Sequence, residues 1–121
     1  MTLTNHLDGV DERMVADVSG TAISVTYAVG PGEYYVYLSG ADTVANYEKV
    51  LRNIVYDNTA ASPNATTRIV TVQASDGTNT SSLATTTINM VTTNTSPILW
   101  DYHHTIDLAA STAIADYPIK I

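Results

Sequence analysis

The part of the sequence that decides the fold spans residues 66–91 and reads TTRIVTVQASDGTNTSSLATTTINMV. Apolar and polar residues alternate through residues 66–74, and a second alternating run covers residues 83–91. Alternation with a period of two is typical of β-strands, because successive side chains point to opposite faces. The Asp76-Gly77 pair between the two runs favours a tight hairpin turn. This stretch therefore predicts two antiparallel strands joined by a hairpin.

The same period continues towards the start of the chain. Further strands are predicted at residues 2–7, 13–18, 21–29, 33–38 and 53–57, with turn signals such as Gly and Pro between them. Helical spacing occurs in one short stretch, at Val44, Tyr47, Val50 and Leu51, which Asp42 or Thr43 can cap. About seven strands or more at this spacing predict an all-β domain, an antiparallel β-sandwich with one short helix. The inner faces are expected to include Ile23, Val25, Ile54, Ile69, Val70, Val72 and Ile88.

Composition and charge narrow the classes of function. The chain has 121 residues, which suits one domain, and its net charge is −7. An acidic domain repels phosphate backbones, so we expect no nucleic-acid partner. There is no cysteine, which excludes disulfides and thiolate metal sites. No run of apolar residues is long enough to cross a bilayer, so we expect no membrane insertion.

Acidic residues gather near the start of the chain. Asp8, Asp11 and Glu12 lie in one turn with a glycine, and Asp57 and Asp76 stand at or just past the ends of predicted strands. Calcium prefers six to eight oxygen ligands, often supplied by such turns. These five carboxylates are therefore the candidate metal ligands, with calcium as the expected cofactor. The alternative is an exposed acidic turn that only keeps the protein soluble.

Other chemistry finds little support in the residues. His103 and His104 are adjacent, so in a strand they face opposite sides and cannot chelate one metal together. No nucleophile, base and orienting carboxylate occur in a recognisable motif, and we expect no enzyme activity. Trp100 and the tyrosines suit a core or a sheet edge better than a sugar-binding platform. Three sequons mark possible glycosylation sites at Asn64, Asn79 and Asn94.

The end of the chain differs from the rest. Residues 92–97 are polar, end in proline and are predicted to be a linker. Residues 98–121 are too short for a second domain and carry the apolar residues Ile114, Ile119 and Ile121. We expect this segment to pack on the sandwich of residues 1–91, or on another copy of the chain.

Several blocks of residues occur in a characteristic order along the chain. They are Leu3-Thr4-Asn5, Leu7-Asp8-Gly9, Leu38-Ser39-Gly40-Ala41-Asp42-Thr43, Val50-Leu51-Arg52-Asn53-Ile54-Val55-Tyr56, Asn58-Thr59, Thr66-Thr67-Arg68 and Ser75-Asp76-Gly77-Thr78. Together they resemble the cadherin-like tandem repeats of large bacterial adhesins, and are similar to chondroitin-sulfate-proteoglycan-type repeats. The resemblance covers about residues 2–91. It implies a cadherin- or immunoglobulin-like sandwich in an extracellular or cell-surface protein, often calcium-binding and without catalytic activity.

The resemblance also bears on the order of the segments. Repeats of this family open with a proline-led strand, whereas here that segment follows Pro97 and the chain enters the repeat at a later strand. Two functions are expected. The first is a structural or adhesive repeat of a surface protein, stiffened by calcium, with neighbouring repeats as partners. The second is a subunit of an extracellular filament, in which residues 98–121 complete the sandwich of another copy by strand addition.

Overall fold

The structure is a computed structural model, which describes residues 1–91 and the backbone of residues 104–105. These residues form two antiparallel sheets and one α-helix, as the sequence predicts for an all-β sandwich. The elements are β1 (Thr2–Leu3), β2 (Glu12–Val15), β3 (Ser24–Gly30), β4 (Glu33–Ser39), α1 (Val44–Arg52), β5 (Val55–Asn58), β6 (Arg68–Val72), β7 (Ala84–Ile88) and β8 (His104–Thr105), with one turn of 3-10 helix at Gly9–Asp11 before β2.

The two sheets differ in size. The larger sheet has the strand order β3-β4-β1-β6-β7, and the smaller sheet has the order β2-β5-β8. The predicted hairpin of β6 and β7 is confirmed, with Arg68 opposite Ile88 and Val72 opposite Ala84. Its connection is longer than a two-residue turn, because an isolated bridge joins Ser75 to Thr80. The smaller sheet forms through pairing of β5 with β2 and, on its other side, with β8.

The helix lies where the sequence predicts it. Thr43 caps its first turn, since its Oγ1 accepts a hydrogen bond from the Asn46 amide at 3.2 Å. The buried residues Tyr47, Val50 and Leu51 face the core. The Tyr47 hydroxyl donates to the Gly40 carbonyl at 2.6 Å, which fixes the approach of the chain to the helix. Gly40 has a φ of 132°, and a Cβ there would come within 2.5 Å of the Ala22 carbonyl oxygen, so only glycine fits.

The core lies between the two sheets and the helix. Most of the predicted inner-face residues are buried, namely Ile23, Ile54, Val70, Val72 and Ile88, while Val25 is partly buried. The prediction was wrong for Ile69, whose side chain is 41% exposed. In β6 the buried positions are Arg68, Val70 and Val72, so the pleat of the strand places Ile69 on the outer face.

The predicted division of the chain into a sandwich of residues 1–91 and a following segment stays a prediction. The predicted linker at 92–97 lies outside the described residues, as do Ile114, Ile119 and Ile121 of the predicted assembly strand. Of the segment 98–121, only the backbone of β8 is described, and it pairs antiparallel with β5 of the same chain, with Val55 opposite Thr105. Among the described residues, no helix is long and apolar enough to cross a membrane.

Candidate functional site

A cluster of charged and polar side chains lies buried between the two sheets. Its centre is the guanidinium of Arg68 on β6, which is 0% exposed. The other buried members are Glu12 on β2 and Tyr56 and Asn58 on β5, and Asp8 joins them from the turn before β2. The cluster therefore connects a strand of the larger sheet to two strands of the smaller one.

The carboxylate of Glu12 accepts hydrogen bonds on both of its oxygens. Its Oε1 accepts from the Nε of Arg68 and, at 2.6 Å, from the hydroxyl of Tyr56. Its Oε2 accepts from the backbone amides of Leu7 at 2.8 Å and Asp8 at 2.9 Å. A buried carboxylate is costly unless it is paired and hydrogen-bonded. These four donors meet that need and close the turn between β1 and β2.

The guanidinium of Arg68 donates hydrogen bonds both to the turn before β2 and to the loop before β6. Besides the Nε contact with Glu12, one terminal nitrogen donates to the Oδ2 of Asp8 at 2.6 Å. The other terminal nitrogen donates to the carbonyls of Thr66 and, at 3.1 Å, Asn64. A planar guanidinium holds several donors in a fixed geometry, which suits this kind of buried, many-sided contact. Arg68 thereby fixes the loop that precedes its own strand.

Asp8 and Asn58 close the cluster on the side of the turn. The Nδ2 of Asn58 donates to the Oδ2 of Asp8 at 2.7 Å and to the Tyr56 hydroxyl at 3.1 Å. The carboxylate of Asp8 also accepts from the Asn64 amide at 3.0 Å. Among the described residues, no buried side-chain nitrogen or oxygen lacks a hydrogen-bond partner. The cluster is fully satisfied by its own groups.

The fold shifts the pKa of Tyr56. Burial, together with its hydrogen bond to Glu12, raises the pKa of Tyr56 well above its usual range. The neutral phenol, which donates its proton to the Glu12 carboxylate, is the form that the fold stabilises. Ionisation of Tyr56 at alkaline pH should therefore disturb the cluster.

The structure distributes the five candidate metal ligands over separate places. Asp8 and Glu12 come together, but the Arg68 guanidinium lies between them. Asp57 pairs with Arg13 at 2.7 Å on an exposed part of the smaller sheet, and Asp11 is exposed in the 3-10 turn. Within residues 1–91, no group of three or more His, Cys, Asp or Glu side chains could hold a metal ion. Calcium binding stays a prediction.

The carboxylate of Asp76 stabilises the turn that contains it. Its carboxylate accepts from the amides of Thr78 at 2.8 Å and Asn79 at 2.6 Å, and these hydrogen bonds lower the pKa of Asp76. The sequons at Asn64 and Asn79 are exposed, and Asn94 lies outside the described residues. Glycosylation also stays a prediction.

Sequence reasoning missed Arg68, Tyr56 and Asn58 as members of the cluster. A signal for Arg68 was present, because it is in phase with Val70 and Val72 on the inner face of its strand. An arginine in register with buried apolar residues needs carboxylate partners, and the acidic turn at Asp8 to Glu12 supplies them. The part played by Asn58 had no comparable signal, because it depends on how β5 pairs with β2.

The chain matches no protein-family model, no curated protein and no solved structure.

Proposed function

We propose that this chain is a non-catalytic structural or adhesive repeat of an extracellular or cell-surface protein. The observation that carries the proposal is the ion pair between Arg68 and Glu12, which joins the two sheets in the interior of the sandwich. The residues that resemble cadherin-like repeats support the same class of function. A repeat of this kind resists unfolding and proteolysis and keeps its neighbours at a fixed spacing.

The buried cluster suits that task for a physical reason. The Arg68 cation and the Glu12 and Asp8 carboxylates depend on one another for burial, because removing one partner of a buried pair leaves an uncompensated charge in the interior and costs about 3–5 kcal/mol. Apolar contacts can slide with gradual loss, whereas a hydrogen-bonded charge network has one favourable geometry. The network therefore opposes both shear and separation of the sheets. In this proposal Arg68 supplies the positive charge between Asp8 and Glu12, and calcium acts at most as an additional ligand.

The location is tested on intact cells of the organism that makes this chain. Antibodies raised against the folded domain should label cells that have not been permeabilised. An antibody against an abundant internal protein, applied in parallel, controls for leakage. Labelling by the domain antibody only after permeabilisation would contradict the proposed location.

The mechanical role is tested on tandem copies of the domain stretched in single-molecule experiments. The parent repeat should unfold at higher force than the Arg68→Met variant, because the variant has lost the connection between the sheets. A variant at the exposed pair, Arg13→Met, is the matched control and should unfold close to the parent force. Equal forces for the parent and Arg68→Met would contradict the mechanical role that the proposal gives to the ion pair of Arg68 and Glu12.

A second candidate function is a subunit of an extracellular filament. The observation that favours it is the pairing of β8 with β5, because β8 belongs to the segment 98–121 that follows the sandwich. A strand that pairs within one chain can make the same contact with another copy by exchange. Light scattering distinguishes the two cases, since exchange gives head-to-tail polymers and pairing within the chain gives discrete particles. Deleting residues 97–121 should lower stability in both cases, and adding the segment back as a peptide should restore it.

A further inference from the structure

In the part of the chain that the structure describes, strand β3 forms an unprotected edge of the larger sheet. It pairs only with β4 among the described residues, and it is seven residues long. Its sequence, SVTYAVG, contains neither a charged residue nor a proline. Natural sheets usually protect their edges with such residues, with short strands or with a covering loop. An edge of this length without them is suited to pairing with another strand.

The direction of the backbone groups on β3 follows from its neighbours. Val36 on β4 exchanges hydrogen bonds with Met1, so its amide and carbonyl point away from β3. Because these groups alternate along an antiparallel strand, Tyr35 and Tyr37 bond to Ala28 and Thr26. The amides and carbonyls of the intervening residues on β3 then point away from β4, beyond the edge of the sheet. These residues are Val25, Tyr27 and Val29.

The side chains of the same residues are left partly uncovered. Tyr27 and Val29 lie on the face that carries the buried Val36, yet they are 42% and 67% exposed. The cause is the unequal size of the sheets, because β2 is the last strand of the smaller sheet and contacts β4, one strand short of β3. Apolar side chains at this edge gain burial from any strand added beside β3.

The β2 edge of the smaller sheet is better protected. The Nε2 of His6 hydrogen-bonds to the carbonyl of Glu12 at 2.8 Å, and the Ala16 amide donates to the Tyr27 hydroxyl at 3.1 Å. Side chains thus already occupy the outer backbone groups at both ends of β2. Strand β7, the other edge of the larger sheet, is shorter and exposes threonines rather than apolar residues. Of the three edge strands β2, β3 and β7, the open one is therefore β3.

We propose that β3 pairs antiparallel with β3 of a second copy of this chain, about a twofold axis at Tyr27. In this register Tyr27 lies opposite Tyr27 of the second copy, and Val25 lies opposite Val29. Each of these pairs exchanges both backbone hydrogen bonds, because the amides and carbonyls of all three residues point away from β4 at the open edge. The edge is complementary to itself, which is the requirement for a twofold interface.

The distribution of charge indicates where two copies of the chain can meet. Each chain carries a net charge of −7, so two copies repel each other over most of their surfaces. Strand β3 has no charge, and its pairing brings the two Tyr27 rings together on one face. Aromatic and β-branched residues opposite each other stabilise a sheet. The two larger sheets then form one continuous sheet, and this pairing does not depend on the proposed function.

The test measures the mass of the full chain by sedimentation equilibrium over a range of concentrations. The parent should show a monomer–dimer equilibrium. Val29→Pro should weaken dimerisation at least tenfold, because it removes an outward amide while leaving the bonds to β4 in place. Val29→Thr keeps the amide and is the matched control. A parent that stays monomeric, or a Val29→Pro variant that dimerises like the parent, would overturn the proposal.

The register is tested separately with single cysteines in this cysteine-free chain. Residues opposite each other on paired strands have Cα atoms about 5.5 Å apart, within the range of a disulfide. Tyr27→Cys should therefore form a covalent dimer on mild oxidation. Val29→Cys should not, because the two copies of residue 29 would lie about 14 Å apart along the strands. Equal crosslinking at both positions, or none at position 27, would contradict the pairing.

Discussion

Arg68 on the larger sheet and Glu12 on the smaller sheet form an ion pair in which both side chains are completely buried. The pair lies 56 residues apart in sequence, and the two strands that carry it belong to different sheets. Its remaining hydrogen-bonding capacity is used by Tyr56, Asp8, Asn64, Thr66 and the amide of Leu7. The interior of the sandwich is therefore held by a specific polar network as well as by apolar packing.

Tyr56 should make the stability of the domain sensitive to alkaline pH. Its pKa is raised in the folded state, by burial first and then by Glu12, above the unfolded value of about 10. The stabilisation from the neutral phenol is thus complete below about pH 10 and is lost as the pH rises further. The free energy of unfolding should fall less steeply above pH 10 in Tyr56→Phe than in the parent. Between pH 7 and 9 the two slopes should agree, and identical slopes at all pH values would contradict this assignment.

Calcium should affect a variant without Arg68 more than it affects the parent. In the parent the carboxylates of Asp8 and Glu12 are already paired with Arg68. Arg68→Gln leaves both carboxylates without that cation, and calcium is suited to oxygen ligands of this kind. Millimolar calcium should therefore raise the melting temperature of Arg68→Gln more than that of the parent.

Magnesium and matched ionic strength serve as the controls for calcium. An equal gain in the parent and in Arg68→Gln would place any bound calcium away from the cluster. Asp11, Asp57 and Asp76 would then be the remaining candidate ligands, and their replacement by Asn would identify which of them takes part.

The faces of the β6–β7 hairpin predict opposite results for two isoleucines. Ile88 is buried in the core, whereas Ile69 is on the outer face of the neighbouring strand. Ile88→Ala should lower the free energy of unfolding by about 2–5 kcal/mol. Ile69→Ala should change it by about 0.5 kcal/mol, as is usual for surface positions. Chemical denaturation measures both, and a larger loss for Ile69→Ala would mean that the two faces of β6 are reversed.

Much of the fold could be predicted because local patterns determine it. The period-two alternation of residues 66–74, the turn residues and the helical spacing up to Leu51 each depend on a few neighbours in sequence. The error at Ile69 arose where both faces of a strand carry apolar residues, so that hydrophobicity alone did not identify the inner one. The buried Arg68 decides it, since a charge buried with Val70 and Val72 requires a partner across the core.

The candidate site could be predicted only in part. The acidic turn at Asp8 to Glu12 is evident in the sequence, but the side chain of the same chain that pairs with it is not. The contact between Asp8 and Arg68 spans 60 residues and depends on the arrangement of both sheets. Such contacts have no local pattern, and the pairing of β5 with β2 that brings Asn58 to the cluster has none either.

The most direct test of the account is a double-mutant cycle on the buried pair, with Arg68→Met and Glu12→Gln measured singly and together by chemical denaturation. Because the side chains share one network, the double variant should cost less than the sum of the single variants by about 1–3 kcal/mol. The exposed pair of Arg13 and Asp57 provides the control cycle, in which the coupling should be below about 1 kcal/mol. Additive losses at Arg68 and Glu12, no larger in coupling than the control, would contradict the claim that this pair holds the two sheets together.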